Sequence, residues 1–268
     1  MRSLRLHIPT SAALIALFFV IVTAGLASTA AVAHPEDDFC EAGGGVDPQL
    51  CRQLAAANSS DGPASNPLIG ADGEALSPLE TALRYMTIGI RHILPGGADH
   101  ILFVLALFLA SDRIRSLVIQ ISAFTVAHTA TLGLAAAGVV EPPASVVEPL
   151  IALSIAFVAA ENLLMRDIAA WRPAVVFGFG LFHGLGFAGF VREVGLPAGQ
   201  FWSSLVGFNV GVEVGQLAVV ALALLLRRPA TLLLNRFGLS YRAAVVAPAS
   251  LAIAAIGLWW AVTRALGL

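Results

Sequence analysis

From Leu79 to the C-terminus the chain is a series of apolar blocks, near 98 to 111, 116 to 140, 149 to 165, 174 to 191, 201 to 226 and 243 to 262, cut by short segments rich in Arg, Pro or Gly. Blocks of this length approach the ~20 residues a helix needs to cross a hydrocarbon core of about 30 Å. They predict an all-α polytopic membrane protein, a bundle of about six transmembrane helices behind a short extracytoplasmic N-terminal tail. Composition agrees, with 58% hydrophobic and 12% charged residues among 268 positions and a mean hydropathy of +0.85. A soluble globule of this length could not cover such a surface. The formal net charge of -2 excludes the basic field of a nucleic-acid binder. All 15 basic residues are Arg, which reads as a compositional bias.

The first 33 residues read as an export signal: Arg2 and Arg5 in a charged leader, an apolar run from Ala12 to Val22, and Ala31-Val32-Ala33 as a small-residue cleavage site. An uncleaved first span is the alternative. Residues 34 to 78, rich in Gly, Ala, Pro, Ser, Asn and acids, are too poor in large apolar groups to form a core and read as a flexible extracytoplasmic tail. Cys40 and Cys51 fall there, in a compartment where a disulfide forms and persists. The rival is a metal site, because His34, Glu36, Asp37, Asp38 and Cys40 crowd the mature N-terminus. Residues 79 to 268 are the bundle.

Arg113, Arg115, Arg166, Arg172, Arg227, Arg228, Arg236 and Arg242 fall in alternate loops, against Arg192 and Arg264 in the others. The bias puts the first set in the cytoplasm, and the tail and C-terminus outside the inner (cytoplasmic) membrane of a bacterium. Leu79 to Leu94 is a separate problem, because a helix running on to Ala110 would be about 48 Å long. Pro95-Gly96-Gly97 must break it. Arg84 and Arg91 are seven apart on one face, which suggests an amphipathic helix on the outer surface. A re-entrant half-helix with its turn at depth is the alternative.

Polar residues in the spans are few: Asp99, His100, His128, Glu161, Asn162, His183, Asn209, Glu213 and Gln216, with His92 just before the break. Ionisable groups at membrane depth are costly and mark functional sites, and His with carboxylate is the ligand set of a divalent transition metal or a proton relay. A weak repeat sharpens this. Phe124-x3-His128-x13-Pro142 recurs as Phe179-x3-His183-x13-Pro197, each followed by a span with an acid, Glu161 and then Glu213. The two hairpins run the same way, as parallel repeats do. Counting about twelve residues, roughly 18 Å, from the outer helix ends puts His128, Glu161 and Glu213 near the midplane. Asn209, Glu213 and Gln216 form one polar stripe, beside Gly207, Gly211 and Gly215, which read as a packing seam.

These motifs carry a resemblance. His92-Ile-Leu-Pro-Gly-Gly-Ala-Asp99-His100, Ala123-Phe-Thr-Val-Ala-His128-Thr, Glu148-Pro-Leu-Ile-Ala-Leu-Ser, Phe182-His183-Gly-Leu-Gly-Phe-Ala and Phe208-Asn209-Val-Gly-Val-Glu213-Val-Gly-Gln216 are similar to the HupE/UreJ family over about 79 to 226. The spacing H-x6-D-H, and Phe187 and Phe190 where the characterised permeases carry a His and a Glu, place the closer similarity with the divergent HupE/UreJ-like branch. The resemblance implies nickel supply to hydrogenase and urease.

Residues and resemblance together lead to an expected permease, not an enzyme, for a divalent transition-metal cation of the nickel or cobalt class. Asp99 and His100 would capture the cation near the outer mouth, His128, His183 and Glu213 would pass it inward, and His92 completes the expected metal-ligating set. Glu161, Asn162, Asn209 and Gln216 complete the polar pathway or serve proton coupling. The metal is cargo and no cofactor is held permanently. No nucleotide-binding motif is present, so transport is secondary or facilitative; the partners are the lipid bilayer and the cation, and a homo-oligomer stays open. The alternatives are an intramembrane zinc hydrolase, which should hold its ligands in one tight cluster, and a non-transporting accessory protein.

Overall fold

The computed structural model describes residues 75–111, 113–165, 170–187 and 198–268, and every element in them is helical. The expected export signal, most of the expected tail, Cys40 and Cys51 lie outside the described residues. In chain order the helices are α1 (Pro78–Ile93), α2 (Ala98–Ala110), α3 (Ile114–Ala136), α4 (Ala144–Leu164), α5 (Arg172–Gly186), α6 (Phe201–Arg236) and α7 (Ala247–Leu266), the last preceded by a π-helical turn, Arg242–Val246. Four stretches are long and apolar enough to cross a membrane: α3, α4, α6 and the turn with α7. A fifth follows if α1 and α2, bent by 72° at their break, count as one broken span. Large apolar side chains cover the outside, among them Val126, Leu153, Trp202, Val210 and Leu222, as lipid-facing surfaces require.

α1 does not lie across the bundle's end, which corrects the expectation of a surface helix. It starts at a capping box, with Ser77 as N-cap and Glu80 at N3, and packs along α6 in parallel. A Cβ at Gly207 would meet the Ala82 carbonyl, one at Gly211 the Met86 carbonyl, and one at Gly215 would lie 2.7 Å from Ile93 Cβ. Gly89 returns the contact against the Phe208 carbonyl. Side-chain-free backbones on both helices allow this approach, so the glycine seam is packing, as its spacing implied. Leu94-Pro95-Gly96-Gly97 then breaks the chain, with a cis Leu94–Pro95 bond, where proline removes a donor and helix geometry cannot continue.

α2 has only 13 residues, about 20 Å at the helical rise, and is too short to cross alone. It is buried nearly all round, with Ile101, Leu102, Phe103, Val104, Ala106, Leu107 and Phe108 in the core, and the longer helices surround it. α3 and α5 pack in parallel and in register, Gly180 against the Phe124 backbone and Gly184 against that of His128. α4 and α7 pack antiparallel, Gly257 against Ala152 and Ala156, Ser250 against Asn162. Arg242 donates to the Asn162 and Met165 carbonyls at 2.9 and 3.2 Å, satisfying the open end of α4. α6 runs on through Pro229 to Arg236, ten residues past the apolar block. Arg227 donates to the Ser111 carbonyl at 3.3 Å and so ties α6 to the end of α2.

Candidate metal centre

The broken helix brings His92 and His100 together. His92 sits one residue from the end of α1 and His100 in the first turn of α2, and the bend between them sets their rings 4.8 Å apart, edge to face. His128 from α3 and His183 from α5 close in from the side, 5.8 and 5.1 Å from the His100 ring. His92, His100 and His128 each offer a ring nitrogen within 4.8 Å of the others. A metal bound at about 2.0–2.1 Å to each would draw them to about 3.4 Å in tetrahedral geometry, a closure of side-chain size.

Neighbours orient two of the four rings. The Ser154 hydroxyl donates to the Ile151 carbonyl at 2.6 Å and meets His183 Nε2 at 3.0 Å. Its proton is thus engaged, so His183 donates through Nε2 and Nδ1 keeps a lone pair. Asn209 donates through Nδ2 to the Leu205 carbonyl at 2.9 Å and presents Oδ1 to His128 Nδ1 at 2.9 Å, so His128 keeps its lone pair on Nε2. His183 Nδ1, His128 Nε2 and His100 Nε2 are buried without a hydrogen-bond partner. Buried polar atoms left this way cost roughly 1–3 kcal/mol each, and a cation would satisfy them. Hydrogen-bonding neighbours that fix the tautomer of metal-binding histidines have this form. The walls are aromatic: Phe124 lies 4.9 Å from His183, Phe187 4.3 Å from His92, and Phe208 stacks on Phe187 at 4.9 Å.

Among the described residues, the carboxylates expected at the site stand elsewhere. Asp99, expected with His100 at the mouth, pairs with Arg264 at 2.8 Å, and His100 belongs to the central group, so the expected outer capture pair is divided. Glu213 accepts from Ser122 at 2.7 Å, one turn along α6 from Asn209, and Gln216 accepts from Thr125 at 3.3 Å. The stripe continues from the centre along one face of α6. Glu161 is not near His128. α4 begins at Ala144 and tolerates Pro149 inside it, so Glu161 falls in its last turn, paired with Arg172 at 3.3 Å. Arg172 also reaches Asn162 Oδ1 at 3.4 Å, and Asn162 Nδ2 donates to the Ala106 carbonyl at 2.8 Å. That second cluster joins helix ends.

Ser154 was visible as a lone hydroxyl in the apolar block 149 to 165, and Arg264 as a charge counted only for orientation; their partners become evident only in the fold. No curated protein and no solved structure matches the chain. The family model described as HupE / UreJ protein matches residues 71–264, the whole of the histidine centre and the helices that build it, and the chain belongs to the HupE/UreJ family.

Proposed function

We propose that this protein is a permease for a divalent transition-metal cation, of the nickel or cobalt class, working by secondary or facilitative transport in a bacterial inner membrane. The observation that carries the proposal is the buried group of His92, His100 and His128, with His183 beside it, gathered from four helices. Neutral imidazoles suit nickel, cobalt, zinc and copper, and conduction demands that an ion bound there also be released. Glu213 and Gln216, further along α6, offer the next oxygen ligands toward the cytoplasm. Five crossings follow if the bent α1–α2 pair counts as one, and α5 would be the sixth. The alternating arginines support an outer N-terminal tail and C-terminus.

A second reading draws support from the same cluster. Three ring nitrogens at one level are the tight arrangement a resident zinc site would use, whether in an intramembrane hydrolase or in an accessory protein. Metal flux into sealed vesicles separates the two. The parent should carry nickel or cobalt, and His128→Ala and Glu213→Gln should insert and fold while abolishing uptake. A parent that retains one metal per chain through dialysis and carries none would establish the resident centre instead. Variants that carry nickel, cobalt, zinc and copper as the parent does would remove the pathway.

A further inference from the structure

Asp99 and His100 are chain neighbours in the first turn of α2, so their side chains leave the helix about 100° apart. His100 turns into the histidine centre. Asp99 turns to the junction of α4 and α7, where Arg264 holds both of its oxygens, Nη1 to Oδ2 at 2.8 Å and Nη2 to Oδ1 at 3.2 Å. The same guanidinium lies 5.2 Å from the Trp260 ring, and its Nη1 reaches the Glu148 carbonyl at 3.5 Å. Three helices therefore position Arg264. The two side chains keep 14% and 15% exposure, so the pair stands at the edge of the buried core, one residue from a ligand.

Without that partner the Asp99 carboxylate, one residue from His100, would be free to turn toward the imidazoles and offer them a hard, charged oxygen ligand. Magnesium, calcium and manganese seek such ligands. A bidentate guanidinium covers both oxygens, cannot lose its charge, and matches the carboxylate plane as an ammonium does not. We infer that Arg264 sets the metal selectivity of the histidine centre: by holding Asp99 it leaves a neutral imidazole set that rejects hard divalent cations and admits borderline ones. This rests on the metal-site reading above and concerns which ions bind, not whether they are carried.

The test is equilibrium binding to the purified full chain in detergent, with Co2+ followed by visible absorption and Mn2+ by its paramagnetic resonance signal. The parent should bind Co2+ and leave Mn2+ free. Arg264→Gln should bind Mn2+ at least about tenfold more tightly, since each charged oxygen ligand gained tunes such affinities, with Co2+ affinity little changed. Asp99→Asn in the Arg264→Gln background should cancel the gain, as the two residues act through one interaction. A strut without a selective role would weaken Co2+ binding and leave Mn2+ free as in the parent. Mn2+ rejection unchanged in Arg264→Gln, or a gain surviving Asp99→Asn, overturns the inference. If Arg264→Gln does not fold, Arg264→Lys replaces it: a point charge in place of the fork should tighten Mn2+ by about threefold, and parent-like Mn2+ rejection overturns the inference. A parent that binds no Co2+ refutes the metal site itself, a result separate from either.

Discussion

At the scale of single residues, the side chains that orient the grouped histidines are not histidines. Ser154 and Asn209 decide which nitrogen of His183 and His128 carries the proton, and a ring in the wrong tautomer would point a hydrogen at a bound metal. Ser154→Ala and Asn209→Ala are each expected to weaken Co2+ binding by about 10–100-fold with unfolding temperature little altered, read by titration of the purified protein. Protons compete with metal for neutral imidazole, so binding and uptake should fall as pH is lowered, in the parent as in the variants. Glu161 gives the contrasting case. With side-chain exposures of 3% for Arg172 and 6% for Glu161, Glu161→Gln leaves a buried guanidinium unpaired, which should cost about 3–5 kcal/mol and appear as a lowered unfolding midpoint, while the Co2+ spectrum of the surviving folded protein stays parental.

Among the elements, α1 and α2 matter as a broken pair. α1 delivers His92 to the centre only because its backbone lies against that of α6. Gly211→Ala would press a methyl onto the Met86 carbonyl and wedge the helices apart. The expected cost is about 1–3 kcal/mol of overpacking, together with loss of Co2+ affinity because His92 moves with its helix. Thermal unfolding and Co2+ titration of one preparation read both, and a variant with parental metal affinity would show that His92 is dispensable to the centre. The repeat gains a meaning here as well. Phe124 and His128 on α3 pack level with Phe179 and His183 on α5 because Gly180 and Gly184 let the two helices run side by side in register, so one short motif, used twice, brings two imidazoles to one height.

For the whole molecule, the two ends differ in their use of arginine. Arg172 and Arg242 join α4, α5 and the π-helical turn at one end, where Arg227 also ties α6 to Ser111; Arg264 closes the other. If the first end is cytoplasmic, Ser240→Cys in a chain whose Cys40 and Cys51 are replaced by Ser should react with an impermeant thiol reagent only in inverted vesicles or opened cells. Labelling of intact spheroplasts would reverse the orientation and, with it, the proposed direction of transport.

The helical character, the apolar outer surface, the break at Pro95-Gly96-Gly97, the small-residue seam on α6 and the histidines as site candidates were all legible in the chain, because each depends on local composition or spacing along one helix. Which polar residues meet was not. Asp99 and His100 are adjacent in sequence yet face different helices; Glu161 and Glu213 each follow one unit of the repeat yet lie at different depths, Glu161 in the last turn of α4 and Glu213 in the body of α6. Partnership of this kind depends on where separate helices start, how they rotate and how closely their backbones approach. Only the packed bundle decides those, and there the seam of glycines and the broken helix bring His92 and His100 to His128 while Arg264 draws Asp99 away.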